Sequence, residues 1–345
     1  MATAEARPID ERVRRVGLGS RLLGRPEVGA IIGAALVWIV FAVWAGDRGF
    51  TSVAGTATIL NVAAQVGIVA SAVALLMIAG EFDLSVGSVV GAAGMVVAIG
   101  VGEFGLPVWL TVLMAIGLGL AIGFINGYIV IRTRLPSFIV TLGMLLILRG
   151  LTIGITRAIT ARTQVGGLAP AIDADPIAGI FTARFGNFPV AILWWIGLAL
   201  VATYVLLRTP FGNWIYGAGG SAVAARNLGV PVARVKIMLF MATAASAALL
   251  AVIQVLSVGS GDVLRGQDKE FEAIITAVIG GTLLTGGYGS AIGAIFGALT
   301  LGMTRQGLFF AGVPGDWYLA ILGVLLLLAV IINNYIRQRA TRTRS

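Results

Sequence analysis

Ala79-Gly80-Glu81-Phe82-Asp83-Leu84-Ser85-Val86-Gly87-Ser88 lies between two apolar runs, near residues 56–79 and 86–102. Its reading decides the fold. A bilayer core about 30 Å thick takes roughly 20 apolar helical residues per crossing. Asp at the centre of such a helix costs about 2.5–3.5 kcal/mol. Non-helical backbone at that depth is tolerated only within protein or beside a water-filled cavity. Two compatible readings follow. The stretch is a break lining a solute path, or Asp83 or Ser85 is the N-cap of the next span, satisfying free N–H groups.

Outward from this stretch, apolar runs recur. About ten spans are expected, near 28–45, 56–79, 86–102, 107–131, 136–156, 188–207, 232–259, 272–285, 290–311 and 316–335. Across 345 residues, 58% are hydrophobic and only 11% charged, against about 25% charged in soluble domains. Mean hydropathy is +0.99. The expected fold class is therefore an all-α polytopic membrane protein. The organisation read from the pattern is a basic N-terminal segment (1–27), a transmembrane domain (28–335) and a basic tail (336–345), with a polar inner segment at 208–236. The 48 glycines suit close helix packing in lipid.

Without His or Cys, thiolate catalysis, Ser-His-Asp triads and Cys/His zinc sites are excluded, and no metal site or catalytic residue is expected. A pI near 10.8 would suggest nucleic acid in a soluble protein. Here the basic excess marks ends beside anionic membrane lipid, and no nucleic-acid partner is expected. With the N-terminus inside, sixteen of the 24 Lys and Arg fall on inner segments and six on outer loops. That asymmetry favours both termini in the cytoplasm. The outer stretch Arg157–Phe188, with Pro170, Asp173, Asp175 and Pro176, is long enough to fold over the external mouth.

The inner segment carries Pro210, a Gly cluster, a short helical stretch from Ser221 to Leu228 and Pro231. Gly229 is the expected C-terminal cap and Pro231 the stop. Its small face at Ala222, Ala225 and Gly229 fits a partner's groove, with Arg226 near an acidic rim. The bland alternative is an ordinary basic loop. Gly289, Gly293 and Gly297 form a one-per-turn packing stripe. No G-x-x-x-x-G-K-[ST] occurs, so the chain holds no P-loop. Gly87-Ser-Val-Val-Gly-Ala92 recurs as Gly289-Ser-Ala-Ile-Gly-Ala294, with Trp109 echoed by Trp317 and Asn126 by Asn334. This is a duplicated half or shared small-residue composition. Polar residues within spans include Asn61, Gln65, Asn126, Arg149, Gln254, Arg305 and Gln306. Such residues are functional candidates, although Arg149 and Arg305 are placed to snorkel.

Four stretches carry a family resemblance: Gly80–Ser88; Gly123-Phe-Ile-Asn-Gly127 leading to Leu135–Gly143 and Arg149-Gly150; Gly219-Gly220 through Arg226, Gly229 and Lys236; and Glu270–Ile274 through Thr282 to Ser290. In this order and spacing, over roughly 55–335, the chain resembles the permease subunit of bacterial ribose-type monosaccharide ABC importers. Arg265-Gly-Gln-Asp-Lys-Glu-Phe-Glu-Ala-Ile274 and Asn333–Arg337 look most like the fructose or simple-sugar branch. Arg305-Gln306 departs from the paired amides of many relatives.

The resemblance implies a non-catalytic, multi-pass inner-membrane permease moving a ribose- or fructose-like sugar, and a pair of permease copies. Its implied partners are an extracytoplasmic sugar-binding protein and ATPase subunits that bind the ATP and Mg, with no cofactor in this chain. Ser221, Ala222, Ala224, Ala225, Arg226 and Gly229 would couple to the ATPase. Asn61, Gln65, Glu81, Asp83, Asn126, Arg149 and Gln306 are the candidates for the translocation path. The alternatives are a branched-chain amino acid permease, a proton-coupled secondary sugar transporter using Asp83 or Glu81, and a membrane-embedded enzyme.

Overall fold

A computed structural model describes residues 26–342. The expected N-terminal segment lies outside the described residues up to 25, and the expected tail from 343 onward. The principal helices are α1 (Pro26–Ala45), α2 (Val53–Ile78), α3 (Val86–Gly102), α4 (Val108–Thr133) and α5 (Ser137–Thr160). A crossover follows with β1 (Gln164–Val165), α6 (Ala169–Ala174), α7 (Gly179–Thr182), β2 (Arg184–Phe185) and β3 (Phe188–Pro189). Then come α8 (Ala191–Arg208), α9 (Pro210–Gly220), α10 (Ala222–Asn227), α11 (Val232–Val258), β4 (Gly261–Asp262), α12 (Lys269–Ile279), α13 (Ala291–Phe310) and α14 (Trp317–Arg342).

Local chemistry sets the ends of these helices. The Ser52 hydroxyl accepts from Gly55 N–H at 2.9 Å to open α2, and Ser290 accepts from Gly293 N–H at 3.3 Å to open α13. Such side-chain oxygens satisfy donors that a helix start leaves free. Pro210 at the first position of α9 needs no N–H there. α4 stops at Arg134, in the left-handed region, just before Pro136.

Among the described residues, six helices are long and apolar enough to cross a membrane: α1 with its 3-10 extension, α2, α4, α5, α8 and α11. α3 and the described part of α14 are shorter apolar helices. The span expected at 272–285 is different. α12 has eleven residues, about half a crossing, and the backbone from 280 to 290 is irregular. Gly280 and Gly281 end it where a continuous span would have run on.

α2 and α11 form the centre and are largely buried, whereas α1 and α5 are mostly exposed. α4 lies along α11 because Gly119, Gly123 and Gly127 present bare backbone to it. A Cβ on Gly123 would sit 2.6 Å from the Met241 Cα, and one on Gly127 2.8 Å from the Ile237 Cα. This stripe closes the pair as small residues do in lipid. Gly289, Gly293 and Gly297 were expected to share one packing stripe. Gly293 meets the backbone of Gly280, just past α12, and Gly297 that of Thr276 on α12. Gly289 precedes the helix and packs instead on Ile78 and Thr282. Leu146, Leu200 and Leu327 lie exposed on outer faces of α5, α8 and α14, as lipid-facing positions do.

Candidate translocation path and coupling segment

The break between α2 and α3 is held on three sides. Glu81 pairs with Lys236 of α11. Asp83, wholly buried, accepts at Oδ1 from the Ser85 N–H at 2.9 Å and the Ser85 hydroxyl at 2.6 Å. Its Oδ2 accepts from the Thr243 hydroxyl at 3.0 Å. Asn126 donates to the Ser85 hydroxyl at 2.8 Å. From α5, Ser137 accepts from Phe82 N–H and Thr141 from Leu84 N–H, both at 3.1 Å. These bonds satisfy backbone that helix geometry has abandoned. Ser85 stands at the N-cap position of α3 without capping through its side chain. Asp83 therefore stabilises the approach to α3 rather than its first turn.

Asn61 and Gln65 of α2 lie elsewhere, at the opposite end of the bundle from α10. They line a cavity of about 480 Å³ with Gln254 and Ser257 of α11, Arg265 and the crossover residue Thr182. Gln254 donates to Gln65 Oε1 at 3.0 Å. Arg265 donates to the Gln254 carbonyl and to the Ser260 hydroxyl, both at 3.2 Å. Glu81, Asp83, Asn126, Arg149 and Gln306 are not part of its lining. β1 pairs antiparallel with β4, Gln164 opposite Asp262, tying the crossover to the connection that bears Arg265. Asp175 accepts from Val108 N–H at 3.1 Å, anchoring the crossover to the start of α4.

Arg149 and Arg305 do not simply snorkel. Arg149 lies 3.7 Å from Glu270 and Arg305 3.5 Å from Glu272, two carboxylates buried at the start of α12. Lys269 also pairs with Glu272, and the Tyr318 hydroxyl donates to it at 3.4 Å. Buried charge is tolerated when paired in this way.

The inner segment is more helical than its glycines suggest, since the Gly cluster ends α9. The Ser221 hydroxyl then caps α10, accepting from Ala224 N–H at 3.3 Å. Gly229, at φ +86°, closes α10 with Val230 N–H donating to the Ala225 carbonyl and Gly229 N–H to that of Arg226. This is the Schellman pattern, which needs a left-handed residue. Ala225 is turned inward against Ala218 and Val232, with Ala222 partly buried beside it. Of the face expected to dock, Ala225 is thus covered within the chain, while Gly229 is exposed. Val223 and Leu228 are 63% and 85% exposed.

Where α9 ends, three backbones meet. Gly287 N–H donates to the Ile78 carbonyl at 2.8 Å. A Cβ on Gly286 would lie 2.7 Å from the Gly80 Cα, and one on Gly287 2.9 Å from the Gly220 Cα. A Cβ on Gly219 would fall on the Ile78 carbonyl and 2.6 Å from the Gly287 nitrogen. This glycine junction joins the end of α2, the root of α10 and the loop from α12 to α13. Close by, Tyr216 donates to the Gly289 carbonyl at 2.9 Å. Burial, then the charges of Glu27 and Tyr288, push its phenol above the usual range, keeping it a donor. Glu27, at the start of α1, accepts from the Ser290 hydroxyl at 2.8 Å.

The two helix breaks also end alike. Gly80 N–H donates to the Met77 carbonyl and Glu81 N–H to that of Leu76. Gly281 N–H donates to Val278 and Thr282 N–H to Ala277 in the same relation, with Gly80 and Gly281 both at positive φ.

A family model described as branched-chain amino acid transport system / permease component matches residues 55–330, most of this bundle. The chain belongs to this permease family. The permease is 31% identical to the xylose transport system permease protein XylH of Escherichia coli (strain K12), over 91% of this chain and 93% of that protein. It is 33% identical to the fructose import permease protein FrcC of Rhizobium meliloti, over 91% and 87%. It is also 33% identical to the ribose import permease protein RbsC of Escherichia coli (strain K12), over 87% and 92%. No solved structure matches it significantly. These matches favour an importer permease over a proton-coupled secondary transporter or a membrane-embedded enzyme.

Sequence reasoning did not foresee Ser137, Thr141 or Thr243 as ligands of the break, nor the part of Lys236. The first two were legible as hydroxyls four apart on one face of α5. Gln254 was noted only as a polar span residue, and its pairing with Gln65 across 189 positions has no local signal.

Proposed function

We propose that this chain is the membrane-spanning subunit of an ABC importer for a neutral monosaccharide such as a pentose or fructose. An extracytoplasmic binding protein delivers the sugar, and partner ATPase subunits bind the ATP and Mg and perform the hydrolysis. Two permease copies form the pathway in a bacterial inner membrane, with both termini cytoplasmic. The names of the xylose, fructose and ribose relatives support the sugar class, and the distribution of Lys and Arg supports the orientation.

The observation that carries the mechanism is the glycine junction beneath α10. Closure of the ATPase pair would press on α10 through Val223 and Leu228. At Gly219 and Gly220 that displacement passes backbone to backbone into Gly80 and Gly286-Gly287. It thereby reaches both the α2–α3 break and the half-helix α12 without relying on flexible side chains.

The test is uptake by the chain reconstituted with its cognate ATPase and binding protein, after thermal stabilisation of the binding protein across a panel of sugars and branched-chain amino acids. Stabilisation by a sugar is expected. Uptake should then stop when the ATPase loses its P-loop lysine, and survive a proton uncoupler while ATP is maintained. Stabilisation by leucine or valine alone would overturn the sugar class, and uptake that follows the proton gradient would overturn the energy source.

A further inference from the structure

The cavity formed by α2, α11 and the crossover is more than a gap between helices. It contains two amide side chains from α2 and one from α11, at the end of the bundle away from α10. Amides and hydroxyls each donate and accept, so a cluster of amides is complementary to a polyol. Gln254 spends its N–H on Gln65, while its own Oε1 is buried with no partner among the described residues. That acceptor faces a need for a donor, which a sugar hydroxyl supplies. Asn61 makes no side-chain hydrogen bond to a described residue, so its amide is uncommitted.

Arg265 adds donors at a fixed place. A guanidinium has five N–H groups, and two are used on the Gln254 carbonyl and the Ser260 hydroxyl. Those bonds orient the group while leaving three donors. Phe181 and Ile253 supply apolar wall, suited to the C–H face of a sugar ring. Phe181 is itself fixed by stacking on Trp194, with centroids 5.7 Å apart and planes 3° from parallel. No Asp or Glu lines the cavity among the described residues, so no carboxylate there would pair with a cation or amine.

We infer that this cavity is a transient monosaccharide site within the permease, where Asn61, Gln65, Gln254 and Arg265 receive the hydroxyls of a neutral sugar leaving the binding protein. The inference rests on the sugar-import reading above and adds to it a site in the membrane subunit itself. The crossover forms part of the wall and is laddered to the connection bearing Arg265. A binding protein pressing on the crossover would therefore move the wall and the guanidinium together.

The chain's lack of Cys permits a direct test. Ser257→Cys, which lines the cavity without being one of the four proposed sugar ligands, is made in the assembled, reconstituted importer, and its modification by a maleimide is followed on this chain by mass. D-xylose, D-ribose and D-fructose at tens of millimolar are the probes, with gluconate and L-leucine for comparison. The transported sugar should slow modification at least threefold, and gluconate and leucine should not. Equal modification with and without sugar overturns the site, as does stronger protection by gluconate or leucine.

In parallel, Gln254→Leu should lower the sugar moved per ATP hydrolysed about tenfold, a ratio that reduced assembly alone would not change. An unchanged ratio overturns the inference. The two levels fail separately. If the unaltered importer moves none of these sugars, the sugar-import reading falls. If it moves one but Ser257→Cys is never protected, only the site falls.

Discussion

Lys236, in the first turns of α11, forms an ion pair with Glu81, the residue that follows the left-handed Gly80 at the end of α2. The two are 155 positions apart in the chain, and both side chains are only 12–13% exposed. Breaking such a pair from one side strands a charge, at a cost of about 3–5 kcal/mol, whereas replacing both partners is far cheaper. Glu81→Gln and Lys236→Met should each lower the melting temperature of the purified permease by several degrees, and the double variant should recover most of the loss. Melting followed by size-exclusion chromatography in detergent measures this.

Asp83 gives a second contrast. All its bonds are accepted ones. In Asp83→Asn, Oδ1 keeps the Ser85 contacts while the new amide can donate to the Thr243 hydroxyl, whose proton is then given to the Phe240 carbonyl alone. Asp83→Ala leaves buried donors unmatched, at about 2 kcal/mol. Asp83→Asn should retain most uptake, and Asp83→Ala should reduce folded yield. An Asp83→Asn permease that assembles fully and transports nothing would mean that the charge itself is used.

At the glycine junction, neighbouring residues should behave oppositely. A Cβ on Gly219 meets the Ile78 and Gly287 backbones, while one on Gly220 meets nothing within 4 Å. Gly219→Ala should abolish folded permease or its sugar-stimulated ATP hydrolysis. Gly220→Ala should leave expression and uptake within about twofold, since a Gly-to-Ala change at a helix end is worth roughly 1 kcal/mol or less. Expression and ATPase assays on the pair decide it.

On α10 the exposed side chains separate from the buried one. Leu228→Asp should insert and melt normally yet lose co-purification with the ATPase. Ala225→Asp should destabilise the permease itself, because a carboxylate against Ala218 and Val232 is buried without a partner. Full sugar-stimulated hydrolysis by Leu228→Asp would remove α10 as the contact.

The two carboxylates of α12 should differ in tolerance. Among the described residues Glu270 has a single cation, Arg149, whereas Glu272 has Lys269, Arg305 and the Tyr318 hydroxyl. Arg149→Gln should therefore reduce thermal stability more than Arg305→Gln, read side by side in one detergent.

Much of this architecture was legible in the sequence because lipid imposes a simple rule on composition. Long apolar runs such as 232–259 became helices such as α11 with little change, and Gly229 and Pro231 marked the end of α10 where cap chemistry requires. What was not legible is what depends on distant partners. The run at 272–285 has the hydropathy of a span, yet it ends at Gly280 because α13 approaches there backbone to backbone. Ala225 and Gly229 share small size, but which face turns outward is decided by Ala218 and Val232. The candidate path residues, read together as polar interruptions, are distributed among a cavity, a hydrogen-bonded break and an ion-pair cluster. Nothing in their local sequence tells these settings apart.

At the junction, an added methyl on Gly219, Gly286 or Gly287 would strike backbone, which has a consequence for how this permease can diverge. Where an added methyl would strike a side chain, as at Gly67 against Trp195, a smaller neighbour can make room and a pair of changes can trade places. Where it would strike backbone, no neighbour has anything to give up, and a second-site change cannot rescue the first. The junction is thus closed to stepwise drift, while the amides around the cavity of Asn61, Gln65 and Gln254 remain open to it. A lineage of such permeases can remodel that cavity and keep this meeting of three backbones.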